Sequence, residues 1–134
     1  MTFFAAGDFQ RQVAPHGGRI VKALSVKQLW ANLIAAGEKT IETRTWVTAY
    51  RGPLLIVSAK RPRIEPAGFA VAVVTLTGCR PMTRKDEKAA CCRLYPRAHA
   101  WMLTDITRIE PIPVKGSLGI FDCALEPEDL YVER

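Results

Sequence analysis

The spacing of apolar positions changes period early in the chain and then becomes strand-like. "IVKALSV" (20–26) has the apolar bias of a first strand. In "KQLWANLIAAG" (27–37), Leu29, Trp30, Leu33 and Ile34 fall on one helical face, with Ser25 placed as an N-cap and Gly37 as a left-handed stop. "KTIETRTW" (39–46) alternates, putting Ile41, Thr43 and Thr45 on one side and Glu42, Arg44 and Trp46 on the other. "LLIVSA" (54–59) reads as a buried strand, and "FAVAVVTLTG" (69–78) as a long one after the basic, Pro-rich loop "KRPRIEPAG" (60–68). "TRKDEKAACCRL" (83–94) predicts a second helix, with Thr83 as N-cap and Asp86 three residues on. "HAWMLTDITRI" (99–109) and "SLGIFDCAL" (117–125) supply two or three further strands, separated by the Pro-rich "PIPVKG" (111–116).

These elements predict a mixed α/β, mostly β fold of about six strands, with one helix after the first strand and another mid-chain. A closed or partly closed barrel hides the edges of that many short strands most economically. Residues 1–19, weakly patterned and ending in "PHGGR", read as a loosely ordered N-terminal leader, and 20–134 as one domain.

Composition narrows the class. With 134 residues, 49% hydrophobic and 24% charged, the chain suits one soluble globular domain. Its apolar runs fall well short of the roughly 18 residues that span a bilayer. The N-terminal stretch lacks the basic start and long apolar run of a signal peptide, so the expected location is cytoplasmic, with no membrane partner. The four cysteines, Cys79, Cys91, Cys92 and Cys123, form no Cys-x-x-Cys pair, and neither His16 nor His99 completes a ligand spacing. Reduced, mostly buried thiols are the expectation, with no metal or cofactor.

The charge is uneven. The net charge is +6, and residues 39–97 hold 12 basic and only 4 acidic side chains. That imbalance suggests a polyanionic partner, RNA or a nucleotide-like ligand, because clustered Lys and Arg gain from phosphate neutralisation. A merely basic soluble protein would show the same totals.

Within the basic region, "GEKTIETR" (37–44) crowds Lys39, Glu42 and Arg44 together. On a regular strand Glu42 and Arg44 share a face while Lys39 differs in parity, so the three converge only if the turn after Gly37 bends. An exposed Glu42–Arg44 pair would be worth about 0–1 kcal/mol. Buried, the charges would need each other or a ligand.

The flanks of this stretch carry a resemblance. Lys27, Gln28 and Trp30, then Gly37, Lys39, Glu42 and Arg44, then Trp46, then Arg51, Gly52, Leu54 and Ile56 stand as in the ASCH (ASC-1 homology) family. "AWMLTDITRIEPIPVKGSLGIF" (100–121) resembles the family's closing strands, so the likeness runs over about residues 22–123. It departs at Leu29, where many members have Pro. The resemblance implies a PUA-like β-barrel with a cleft between the first helix and the barrel, in a superfamily whose members bind RNA.

In such a cleft Lys39, Arg44 and Arg51 form a cationic rim, and Glu42 accepts from an exocyclic amine or orients Lys39. Lys27, Lys115 and Ser117 join them as candidate ligand contacts. Trp30 and Trp46 offer stacking faces for an unstacked base, although each also reads as ordinary packing. Lys60, Arg61 and Arg63 are a candidate nucleic-acid surface, or simply a solubilised loop. The alternative is a metal-independent hydrolase, of ribonuclease or amidohydrolase type, with Lys39 and Glu42 as acid/base pair. The amidohydrolase members resembled here place a Thr nucleophile where this chain has Glu42, which argues against their mechanism.

Overall fold

A computed structural model of the chain describes residues 19–125, together with the backbone of three two-residue strands at 2–3, 12–13 and 131–132. In chain order the elements are β1 (Thr2–Phe3), β2 (Gln12–Val13), β3 (Arg19–Val26), α1 (Trp30–Ala35), β4 (Ile41–Arg44), β5 (Gly52–Ser58), β6 (Phe69–Pro81), a 3-10 turn (Arg84–Asp86) leading into α2 (Glu87–Ala90), β7 (His99–Pro113), β8 (Ile120–Leu125) and β9 (Tyr131–Val132). The expected leader at 1–19 lies mostly outside the described residues, and its strands β1 and β2 pair with β9 and β3.

The fold is mostly β, as the patterning predicts. The six longer strands lie in one sheet ordered β4-β7-β6-β5-β3-β8, antiparallel except where β3 and β5 run parallel. A parallel pair needs a crossover, and α1 with β4 provides it. Residues Leu54–Ser58 of β5 are buried on both faces, which explains why that strand reads as a continuous apolar run. Leu55 and Val57 join a cluster with Val21, Ala23, Val73 and Ile109. Leu54 and Ile56 join another with Ala31 and Ile34 of α1 and Trp101 of β7. A smaller cluster of Ile41, Met82, Ala90 and Ala100 seats α2 against β4 and β7. Three register shifts between β6 and β7 bend this long hairpin.

Both helices are shorter than their periodicity predicts. Ser25 lies inside β3 and caps nothing. The turn into α1 is held by Gln28, whose Oε1 accepts from the Asn32 N–H (3.1 Å) and whose Nε2 donates to Ser58 Oγ (2.9 Å). Gly37 does adopt the left-handed conformation (φ +80°). The mid-chain helix ends at Cys91 (φ 55°), well before the predicted Leu94. Thr83 opens that segment as its N-cap, in the expected capping-box arrangement: the Asp86 carboxylate accepts from the Thr83 N–H (2.8 Å), and also from two Arg80 nitrogens (2.7 and 2.8 Å). The Arg80 guanidinium, aided by the Thr83 amide, holds the Asp86 carboxyl well below the ordinary range. β7 continues through Pro111 and Pro113, where a separating loop is predicted from the prolines. Of the four thiols only Cys123 is buried, the other three being half-buried rather than interior.

Candidate functional site

The ends of the sheet, β4 and β8, are not paired to each other. Lys39, Glu42 and Arg44 line a cleft there together with residues 117–119, just before β8. The chain leaves α1 through Gly37, and the Glu38 and Lys39 N–H groups both donate to Leu33 O (3.0 and 3.1 Å). This bend defeats the parity argument: Lys39 turns inward before β4 begins.

Lys39 is 1% exposed and Glu42 6%. The Lys39 ammonium donates to the carbonyl of Ala90 at the end of α2 and stands 3.7 Å from Glu42 Oε1. Glu42 Oε2 accepts from Arg44 Nε (3.0 Å) and Nη2 (2.9 Å), and the same Nη2 donates to Ser25 O (2.8 Å). One carboxylate thus lies between two cations, giving the array a formal charge of +1. It also ties β4 to β3, which are not neighbours in the sheet. Buried charge of this kind is tolerated only when each member is satisfied, and Glu42 satisfies both cations.

Above the array is a cleft of about 650 Å³. Trp30, Tyr95 and Leu118 contribute apolar surface to it, while Lys39, Glu42 and Arg44 contribute charge. Trp30, 39% exposed, reaches from α1 to the far wall, its indole Nε1 3.5 Å from Cys91 O. On that wall the Tyr95 hydroxyl donates to Thr43 Oγ1 (2.9 Å), which lies 3.8 Å from Cys92 Sγ. A chamber with apolar walls and fixed polar groups suits an aromatic ring with polar edges.

Of the residues predicted from sequence, Lys27, Trp30, Lys39, Glu42, Arg44 and Ser117 line this cleft. Lys60 and Lys115 instead line an adjoining cavity. Trp46 packs edge-on against Trp101 (centroids 4.7 Å apart), whose Nε1 donates to the Trp46 carbonyl (3.3 Å). Arg51 lies outside the cleft, its Nη1 donating to the carbonyls of Thr48 (2.9 Å) and Tyr50 (2.7 Å). Arg61 and Arg63 are exposed on the loop, Arg63 facing Glu65 at 3.5 Å. Sequence reasoning misses Ser25, Cys92, Tyr95 and Leu118. These come from segments far from the motif in sequence, and no local pattern marks them. Among the described residues, no cluster of three or more His, Cys, Asp and Glu is placed to hold a metal ion, and no helix is long and apolar enough to cross a membrane.

The family model of the ASCH domain matches residues 24–113. Among solved structures the chain is similar to a crystal structure of ASCH from Zymomonas mobilis, with 17% identity and a TM-score of 0.59 over 81% of this chain and 89% of that one. A serine-to-alanine variant of the same protein gives 16% identity and a TM-score of 0.58, covering 81% and 89%. Its tyrosine-to-phenylalanine variant gives 17% and 0.55, covering 81% and 91%. At these identities the likeness is one of fold. No curated protein matches the chain in sequence.

Proposed function

The chain belongs to the ASCH domain family, and from that premise we propose that its cleft binds RNA or a nucleotide-like ligand, with Lys39, Glu42 and Arg44 reading the polar edge of a base. The observation that carries this reading is the buried array itself: two cations and a carboxylate fixed beneath a chamber with apolar walls. Fixed donors and an acceptor at this depth need no reordering when a ligand arrives, which lowers the cost of binding. Trp30 offers a half-exposed indole face at the mouth, the group on which an unstacked base packs. The chain's net charge of +6 favours approach of a polyanion.

One observation favours a second reading, catalysis in the same cleft. The Lys39 ammonium and a Glu42 carboxylate oxygen are 3.7 Å apart and shielded from water. Such a pair suits proton transfer to and from a bound substrate.

One experiment separates the two. Wild type, Lys39→Met and Trp30→Ala are incubated with a mixed single-stranded RNA pool and a panel of plain and modified nucleosides, and retention and mass change are both recorded. Retention without mass change, weakened in both variants, is the expected result. Product formed by wild type and abolished in Lys39→Met would make the cleft catalytic. Absence of both retention and product for the wild type would refute the binding reading.

A further inference from the structure

The adjoining cavity, about 440 Å³, shares Ser25, Ala59, Ser117 and Leu118 with the cleft, so the two are halves of one depression divided by the segment before β8. Its lining differs in character. Lys60 and Lys115 stand at it, and among the described residues no acidic side chain lines it. Among the described residues neither lysine has a hydrogen bond or ion pair, whereas Lys22, Arg63 and Arg80 are each matched with a carboxylate. The Lys60 stem passes over Gly68, at which an added Cβ would stand 3.3 Å from Lys60 carbons.

Between the halves lies Ser25. Its hydroxyl is buried and is the one side-chain polar atom among the described residues recorded as buried without a partner. Gly116 presses against it, so closely that a Cβ there would sit 2.7 Å from Ser25 Oγ. A buried hydroxyl left unpaired costs about 1–3 kcal/mol, and such a group calls for an explanation. Its place at the junction of a base-sized chamber and a pair of unmatched ammonium groups supplies one.

We infer that this second cavity is a phosphate subsite: Lys60, Lys115 and the Ser25 hydroxyl hold the phosphate attached to the nucleoside that occupies the cleft. The inference rests on the cleft reading above and specifies its ligand as a phosphorylated nucleotide, either a free monophosphate or the phosphodiester of an RNA strand. Two ammonium groups and a hydroxyl match a phosphate's need for several donors. Among the described residues lining the cavity none is a carboxylate that would repel the anion.

The test has two arms. In the first, isotope-labelled protein is titrated with inorganic phosphate at constant ionic strength while backbone amide resonances are followed. Saturable shifts at Ser25, Lys115, Gly116 and Ser117 are expected, lost in the Lys60→Ala/Lys115→Ala double variant. Shifts that are absent, or that persist in the double variant, overturn the subsite whatever occurs in the cleft. In the second arm, affinities are measured for the four ribonucleosides, their 5′- and 3′-monophosphates and short single-stranded RNAs. The phosphorylated forms should bind at least about tenfold tighter than the nucleosides at low salt. The double variant should erase that gain and leave nucleoside affinity unchanged. Monophosphates binding as tightly as RNA identify a free nucleotide as the ligand, and a clear preference for RNA identifies the strand. Nucleosides that bind with no gain from phosphate would overturn this inference and keep the cleft reading. If no nucleoside or nucleotide binds, both fail.

Discussion

Replacing Glu42 with Gln keeps the side chain's shape and removes its charge, and it tests whether the ionic array is a satisfied unit. In the wild type Glu42 faces Lys39 at 3.7 Å and Arg44 at 2.9 Å. Unit charges near 4 Å interact by about 4 kcal/mol at an effective dielectric of 20. The Arg44 contact is worth less, because that side chain keeps 23% of its exposure. Lys39 has no such outlet at 1% exposure, so without Glu42 its buried ammonium keeps the Ala90 carbonyl but no counter-charge of its own. Breaking a buried pair from one side costs about 3–5 kcal/mol. Lys39→Met should cost less, about 1–3 kcal/mol, since Glu42 keeps Arg44 on Oε2 and the losses are the donor to the Ala90 carbonyl and the cation facing Glu42 Oε1. Urea unfolding at neutral pH measures both, with a melting temperature expected to fall by roughly 3–5 °C per kcal/mol in a chain of this size. The double variant should be no less stable than Glu42→Gln alone. The reasoning is refuted if Glu42→Gln costs under about 1 kcal/mol, or if Lys39→Met proves the worse of the two.

Three further outcomes follow from other contacts. Ser25→Ala should stabilise the ligand-free protein by about 1 kcal/mol in urea titration, because it removes a buried hydroxyl with no partner. Asp86→Asn should destabilise at neutral pH by about 1–3 kcal/mol through loss of the Arg80 and Thr83 contacts. The folded-state carboxyl titrates below its unfolded value, so its contribution is fully present above about pH 4 and fades as pH falls further. The gap between wild type and Asp86→Asn should therefore narrow on acidification, and a gap that stays constant down to about pH 2 would contradict the assignment. Asp122→Asn, which cuts a surface pair with Lys22, should change stability by under about 0.5 kcal/mol in the same titration.

The legible parts of this fold are those where one physical demand acts alone. β5 and β6 are apolar because much of each strand is buried on both faces, and no other element produces such short β-branched runs. The helices were over-read because Leu29 and Leu94 continue the helical spacing while lying in turns, and both are exposed. In the site, the Lys39–Glu42–Arg44 motif announces charge close together, but strand parity sets Lys39 apart, and only the bend tied to Leu33 O reverses that. Trp46 and Trp101 show the limit of residue-type reasoning: Trp46 packs edge-on against another tryptophan, a contact that no local pattern announces. The Ser25 hydroxyl was invisible because its isolation is created by Gly116, from the opposite end of the domain.

The meeting of β3 with β4 bears on how the opening between them can vary in width. These two strands share no ladder, and side chains join them: Arg44 reaching Ser25 O and Glu42, and Lys39 anchored to α2. Where strands are laddered, any change of spacing breaks a row of backbone hydrogen bonds and is opposed by all of them together. Here the width of the opening depends on a few side-chain lengths, so substitution can widen or narrow it while every ladder elsewhere stays intact. The spacing of these two strands is thus a property of side chains, open to change at a cost in stability that falls on the array and not on the rest of the sheet.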